Sequence, residues 1–255
     1  MYGRERRRHI TDVLAASGRV SVTDLASGLD VSAETIRRDL STLEAEGRLE
    51  RTHGGAVPVL PGGRTERTLD ARRGENVAAK QAIGRAALGL LPDAGGSILL
   101  DAGTTTARLA EALPPDHDLT VVTNSVPLAD SLHRAGTDRL HLLGGQVRGL
   151  TGACVGVPVI RALDAIRVDV AFLGTNGLHG ERGLTTQDPD EAAVKTAMCG
   201  AARRVVVLAD SAKIGHEFLV GFAPLEAVDV LVTDAAPPGP LADALHEREI
   251  EVLLP

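Results

Sequence analysis

From residue 97 onward, short runs of valine, isoleucine and leucine alternate with stretches of helical pattern, and no other feature constrains the fold as tightly. The runs are 97–100, 119–122, 139–143, 168–173, 204–208, 228–232 and 250–253. A strand with one wet face alternates apolar and polar residues, whereas a run that is apolar at successive positions is buried on both faces. Such strands, separated by helices, imply an α/β domain built on an open, doubly wound, mostly parallel sheet. Ligands bind such sheets outside the carboxyl ends of the strands. The residues there are small and polar: Asp101-Ala102-Gly103-Thr104-Thr105-Thr106, Thr123-Asn124-Ser125, Gly144-Gly145, Gly174-Thr175-Asn176-Gly177 and Ala209-Asp210-Ser211-Ala212-Lys213.

Asp101 to Thr106 falls between a strand and a helix, so backbone N–H groups, hydroxyls and the positive helix end converge on an anion such as phosphate. Gly103 lets the backbone approach closely. A Gly-Thr-Thr turn alone carries little weight, because hydroxyl residues cap helices for structural reasons. Several such loops at the strand ends of one sheet carry more. Residues 183–195 add a loop and a helix starting near Asp190, on which Glu191 and Lys195 lie four apart. That spacing fits a solvent-exposed ion pair worth at most about half a kcal/mol. It fits equally a carboxylate and a cation facing a pocket, for sugar hydroxyls and phosphate respectively.

Ahead of this body, Arg6 to Ala16 carries Ile10, Val13 and Leu14 at helical spacing and stops at Gly18. Ser21-Val22-Thr23-Asp24 is a capping box for a short helix through Leu29, and Asp30-Val31-Ser32 is a turn into a third helix. In that helix Ile36, Leu40 and Leu43 share one face, which turns Thr35 and Arg38 to the other. By itself it is either an ordinary amphipathic helix or a recognition helix, with Ser32, Ala33 and Thr35 near base edges and the arginines reaching phosphates. Residues 48–57 then read as two extended runs around a turn, a β-hairpin. Helix, helix, helix, hairpin is the order of a winged helix-turn-helix, with Arg51 and His53 on a wing placed to touch phosphate or minor groove.

The net charge of −7 argues superficially against nucleic acid, but its distribution matters more. Residues 1–57 carry nine basic and nine acidic side chains, so the whole excess lies in residues 58–255. A neutral domain with clustered arginines permits DNA binding if Arg4, Arg6, Arg7, Arg8, Arg37, Arg38, Arg48 and Arg51 converge. Two cysteines are too few for a disulfide framework or a four-ligand zinc site, and the eight histidines show no ligand spacing, so no metal or cofactor is expected. With no apolar run of eighteen residues and a charged start at Met1 to His9, the expectation is a cytoplasmic protein without membrane contact. Pro58-Val59-Leu60-Pro61-Gly62-Gly63 breaks helix and strand, giving domains at 1–57 and 65–255 joined by a linker at 58–64. Thr65 to Leu91 then reads as largely helical, broken at Gly74.

Val20-Ser21-Val22-Thr23-Asp24-Leu25-Ala26, Thr35-Ile36-Arg37-Arg38-Asp39-Leu40, Leu43-Glu44 and Arg51-Thr52-His53-Gly54-Gly55-Ala56 together resemble the signature of the DeoR family of bacterial transcriptional repressors. The resemblance implies that Thr35, Arg37 and Arg38 belong to a DNA-reading helix and that His53 and Gly54 belong to the wing. It extends through the second half, because effector domains of this family are similar to ribose-phosphate isomerases. Asp101 to Thr106, Val122-Thr123-Asn124-Ser125, Leu142-Leu143-Gly144-Gly145, Phe172 to Gly177, Leu184-Thr185-Thr186 with Glu191 and Lys195, and Ala209 to Lys213 match its ligand-site motifs. The family also has an aromatic, an arginine, an asparagine and a lysine at fixed spacing; here Leu69 replaces the aromatic while Arg72, Asn76 and Lys80 stand in place. Ala212 stands where many members have serine, so a hydrogen bond from that position does not carry over. Family effectors are phosphorylated sugars or related metabolites. Phe172 to Leu178 with Gly183 to Thr186 looks most similar to the fructose-utilisation branch, which implies fructose 1-phosphate.

The expectation is therefore a repressor of a sugar operon that binds double-stranded operator DNA. A sugar phosphate would be held by Thr104, Thr105, Thr106 and Lys195, with Asp101, Asn124, Asn176 and Glu191 on its hydroxyls. Gly103, Ser125, Gly174, Thr175 and Lys213 complete the expected site. Mismatch with operator half-sites on effector binding requires at least a dimer, and dimer and tetramer are both open. The alternative is a sugar-phosphate isomerase fused to a DNA-binding domain, using Asp101, Glu191 and Lys195 as acid and base groups. No Gly-x-Ser-x-Gly elbow, Walker lysine or dinucleotide Gly-x-Gly-x-x-Gly supports another enzyme class. Whether effector releases or tightens the DNA, and whether Arg37 touches DNA or supports the fold, stays open at this level.

Overall fold

A computed structural model of the chain describes residues 3–17, 20–45, 49–52, 54–57 and 66–255. The chain separates into two compact units, Met1–Glu66 and Arg67–Pro255. The expected linker at 58–64, together with Arg48 and His53, lies outside the described residues.

The N-terminal unit contains helices α1 (Gly3–Ser17), α2 (Val22–Leu29) and α3 (Ala33–Ala45) and strands β1 (Val20–Ser21), β2 (Glu50–Thr52) and β3 (Gly55–Val57). Ser21 caps α2 by accepting the Asp24 N–H, and Asp30 ends it in the left-handed region at φ 51°. Ser32 accepts the Thr35 N–H at 3.2 Å and starts α3. Ile10 and Leu14 of α1 meet Val22 and Leu25 of α2, and Ile36, Leu40 and Leu43 of α3, in one apolar core that Leu49 and Ala56 close. The hairpin acquires a third strand, because β1 pairs with β3 on the edge away from β2. That pairing demands glycine at 55, where a Cβ would fall 1.8 Å from the Val20 carbonyl oxygen.

The second unit begins with two helices, α4 (Leu69–Arg73) and α5 (Val77–Ala86). Its elements then run β4 (Ser97–Leu100), α6 (Thr104–Ala112), β5 (Thr120–Thr123), α7 (Val126–Arg134), β6 (Leu140–Leu142), β7 (Gln146–Val147), β8 (Cys154–Val155), α8 (Val157–Asp164) and β9 (Val168–Gly174). They continue with β10 (Gly177–His179), β11 (Gly183–Thr186), α9 (Pro189–Gly200), β12 (Ala202–Leu208), β13 (Val220–Ala223), β14 (Val230–Val232), α10 (Gly239–Glu247) and β15 (Glu251–Leu253). All seven apolar runs become strands of one sheet, ordered β15-β14-β12-β9-β4-β5-β6 and paired in parallel throughout. Successive side chains serve opposite cores. Ile98 and Leu100 pack with Ile83, Leu109 and Leu132 from α5, α6 and α7, while Leu99 and Ala171 pack with Val159, Val194 and Met198 from α8 and α9. Val207 and Leu231 meet Leu241 and Leu245 of α10. Both faces are covered, as uninterrupted apolar runs require.

The expected loop over 183–186 is instead a strand. β10 and β11 form an antiparallel hairpin, and β13 pairs with the far edge of β11. Glycine and threonine hide these strands from a search for Val/Ile/Leu runs, yet residues 183–186 are all buried. Gly177 also meets a neighbouring backbone, since a Cβ there would lie 2.2 Å from the His216 carbonyl oxygen. No helix among the described residues is long and apolar enough to cross a membrane.

Candidate functional site

Strand order reverses between β4 and β9: the chain steps outward to β5 and β6 on one side, and to β12, β14 and β15 on the other. A crevice at this switch point is where open α/β sheets place ligands. It is lined by Arg72, Asp101, Ala102, Gly103, Thr104, Thr105, Gly174, Thr175, Asn176, Glu191, Lys195 and Lys213. Ten expected effector residues thus meet in one cleft, from the ends of β4 and β9, the first turn of α6, helix α9 and the turn after β12. Its volume is about 30 Å³, room for on the order of one or two water molecules.

Charge pairing explains how the cleft is closed. Lys195 donates to Asp101 Oδ2 and, at 3.0 Å, to the Gly174 carbonyl, while the Gly174 N–H reaches the same Asp101 oxygen at 3.0 Å. Asp101 is 3% exposed and Lys195 6%, so the Glu191/Lys195 spacing is not a solvent-exposed ion pair. Glu191 turns instead to Arg148 Nη1 at 2.7 Å and the Thr151 hydroxyl at 2.6 Å, and Arg148 Nη2 also reaches Asp188 at 3.2 Å. Asp188 caps α9 by accepting the Glu191 N–H. Burial pushes the Glu191 carboxyl up, but Lys195, Thr151 and Arg148 outweigh it, and its pKa lies below the ordinary glutamate value. A carboxylate held ionised by two donors, beside another locked in an ion pair, matches poorly the near-neutral acid or base of proton-transfer catalysis.

Three expected residues do not line this cleft. Thr106 is fully buried and donates to the Asp101 carbonyl at 2.7 Å, bracing the loop from within. Asn124 is buried and donates to the Cys154 carbonyl at 3.0 Å, tying β5 to β8. Ser125 caps α7 by accepting the Leu128 N–H and lines a separate small recess with Gly103 and Thr104. Hydroxyl and amide residues at strand ends serve caps as readily as ligands, and pattern alone does not separate the two.

Arg72, Arg148 and Thr151 were not among the expected site residues. Arg148 and Thr151 lie between β7 and β8, where the pattern carries no signal. Arg72 had one: it precedes Asn76 and Lys80 at successive four-residue steps. The structure shows what that series does. Asn76 donates to Asp210 Oδ1 at 3.1 Å, and Lys80, 2% exposed, donates to the Arg72 carbonyl at 2.7 Å. Burial holds the Lys80 ammonium below the usual lysine pKa, against the opposing pull of Asp210. Both cysteine thiols are pushed up by burial, Cys199 to about 11, which keeps them unreactive.

In the N-terminal unit, Thr35 is half-buried at the head of α3, its hydroxyl 2.9 Å from that of Ser32. Arg37 and Arg38 are exposed, and Arg37 approaches Glu34 at 3.4 Å. Arg51 of the wing is exposed and donates to the Ser41 hydroxyl at 2.8 Å, joining wing to helix; Gly54 is exposed at the wing turn. Arg6 and Arg7 do not join an outward patch. Both pair with Asp39, which is 4% exposed, and so fasten α1 to α3. A larger groove of about 790 Å³ between α1, α2 and the wing carries no comparable convergence of cations and carboxylates.

Residues 6–59 match the model of a DeoR-like helix-turn-helix domain, and residues 75–235 that of the DeoR C terminal sensor domain. The chain is 40% identical over 247 residues to the HTH-type transcriptional regulator GlpR of Haloferax volcanii, covering 97% of this chain and 94% of the relative. It is 40% identical over 231 residues to the uncharacterized HTH-type transcriptional regulator FruR of Bacillus subtilis, covering 91% of each. A likeness of fold to ribose 5-phosphate isomerase A from Methanocaldococcus jannaschii covers 55% of each chain, with a TM-score of 0.41 and 19% identity.

Proposed function

Because this chain belongs to the DeoR family of transcriptional regulators, we propose that it represses a sugar-utilisation operon and leaves its operator when a phosphorylated sugar enters the cleft between β4 and β9. It is a regulator and not an enzyme, as its relatives are named. The observation that carries the proposal is the composition of the cleft. Three cations (Arg72, Lys195, Lys213) and the first turn of α6 face phosphate chemistry, while Asp101, Asn176 and Glu191 offer acceptors to hydroxyls. Thr104, Thr105, Gly103, Gly174 and Thr175 complete its wall. Fructose 1-phosphate is the candidate that the resemblance of Phe172 to Leu178 and Gly183 to Thr186 to the fructose-utilisation branch implies.

On the output side, Ser32 and Thr35 read base edges from the head of α3, while Arg37, Arg38, Arg51, His53 and Gly54 contact the backbone. One recognition helix per chain reads one half-site, so the working form is a homodimer or a tetramer acting on double-stranded DNA in the cytoplasm. The cleft is about 30 Å³ and opens to solvent, so a sugar phosphate enters by moving the side chains that fill it. Only a ligand that distinguishes two arrangements shifts their balance. A thermal-shift panel of sugar phosphates on the full chain tests this. At a hundred times its Kd, the true effector stabilises the native state by about 2.7 kcal/mol and raises Tm by roughly 5–10 °C. A panel without any shift overturns the proposal.

A further inference from the structure

We propose that Arg72 is the residue that grips the effector's phosphate, and that this grip on α4 carries occupancy of the cleft to the segment leading to the DNA-binding unit. The inference rests on reading the cleft as a sugar-phosphate site. The cations of that cleft are not equivalent. Lys195 is already committed to Asp101 and the Gly174 carbonyl. Arg148, which does not line the cleft, is engaged with Glu191 and Asp188. Arg72 lines the same cleft, yet its Nε and Nη2 are buried and have no hydrogen-bond partner among the described residues. Buried guanidinium donors without acceptors are costly, and the cost is removed by an anion that takes both N–H groups at once. Lys213 lines the cleft too, with no ion pair among the described residues. Arg72 and Lys213 thus line one cleft together. A doubly charged phosphate answers both with several charged oxygens, whereas a neutral sugar hydroxyl accepts without neutralising either cation.

The position of Arg72 in the chain gives the contact its consequence. α4 is the first helix of the second unit, and the boundary between units falls at Glu66 and Arg67. α4 has only five residues, none of them buried. Three ties among the described residues hold it from outside: the Lys80 ammonium on the Arg72 carbonyl, the Leu69 N–H on the Leu150 carbonyl at 2.9 Å and the Arg108 guanidinium on the Arg73 carbonyl at 3.5 Å. A short helix with so little apolar burial opens readily. A phosphate bridging Arg72 to the α6 turn and Lys213 adds a tie from inside the cleft, and ordering α4 changes the anchor of the chain that leads to α3. Lys80 and Asn76 are positioning residues in this scheme, since they hold the turn that presents Arg72.

The experiment uses full-length wild-type, Arg72→Gln and Arg72→Lys proteins. Fructose 1-phosphate, glucose 6-phosphate, glycerol 3-phosphate, fructose and inorganic phosphate are titrated by calorimetry. Backbone hydrogen exchange is then followed over residues 66–80 with the tightest phosphorylated probe. Wild type is expected to prefer that probe over free fructose and to slow exchange in α4. Arg72→Gln should weaken the phosphorylated probe about 10- to 100-fold, the range for a hydrogen bond to a charged group. It should leave free fructose unchanged and abolish protection of α4 even at saturation. Arg72→Lys, which keeps the charge and loses the fork, should recover part of both. A merely structural role for Arg72 would weaken sugar and sugar phosphate alike and overturn the assignment. So would equal binding of the probe by wild type and Arg72→Gln, although the sugar-phosphate reading would then survive. Wild type that binds no phosphorylated probe removes both, and loss of affinity without any change in α4 exchange removes the coupling.

Discussion

Replacing Lys195 with methionine keeps most of the buried stem and deletes the charge that neutralises Asp101. In the native site the Asp101 carboxylate, 3% exposed, then retains the Gly174 N–H at 3.0 Å but no cation. Breaking one side of a buried pair leaves an uncompensated charge and costs about 3–5 kcal/mol, against about 0–1 kcal/mol for an exposed pair. Because the chain has two units, a single unfolding curve does not isolate the loss. Hydrogen exchange of peptides covering β9 does, since that central strand opens only with the sensor unit. Lys195→Met should lower its opening free energy by about 3 kcal/mol or more. Asp101→Asn strands the buried Lys195 ammonium in turn, with only the Gly174 carbonyl at 3.0 Å left to accept from it, and should also cost about 3 kcal/mol. The double variant should recover part of the loss, with a coupling of about 1–3 kcal/mol. A single-variant cost below about 1 kcal/mol, or additive singles, would show that the pair is screened by solvent and would refute the picture of a cleft locked by charge.

Arg38→Ala removes an exposed cation from α3, and operator affinity should fall across all sequences while the slope of log K against log salt flattens by about one; an unchanged slope removes Arg38 from the phosphate contacts. The depressed pKa of Glu191 adds a pH dependence. Its contribution to stability is complete above the unfolded value and is lost as pH falls through the folded one, in the window below pH 4.5. Thr151→Val, which deletes the 2.6 Å donor, should bring acid unfolding to higher pH; an acid limb identical to wild type would show that this hydrogen bond does not hold the carboxylate.

The parallel sheet was legible because a strand buried on both faces must be apolar at successive positions, and Val205 to Leu208 or Val170 to Leu173 satisfy that demand without help from context. β10 and β11 were not, because their Gly and Thr residues are chosen for close backbone approach, as at Gly177, and that leaves no hydrophobic period. The cleft was legible at Asp101 and Gly174 through their position at strand ends, and at Lys195 only as one of two readings of its four-residue spacing from Glu191 on α9. Thr106, Asn124 and Ser125 carry the same residue types at the same places, yet they brace and cap; the difference is a matter of side-chain direction, which tertiary packing decides. Asp39 illustrates the reverse. A charged residue between Arg38 and Leu40 reads as surface, but it is buried to bind Arg6 and Arg7 from α1, more than thirty residues away and invisible to local pattern.

The central claim is that filling the cleft between β4 and β9 empties the operator. Fluorescence anisotropy of labelled operator DNA on the full-length protein, titrated with fructose 1-phosphate and, in parallel, fructose, tests it most directly. The account predicts that anisotropy falls to the value of free DNA with the sugar phosphate and stays constant with the sugar. Anisotropy that is unmoved by a sugar phosphate known from calorimetry to be bound, or that rises with it, would contradict release as the mechanism.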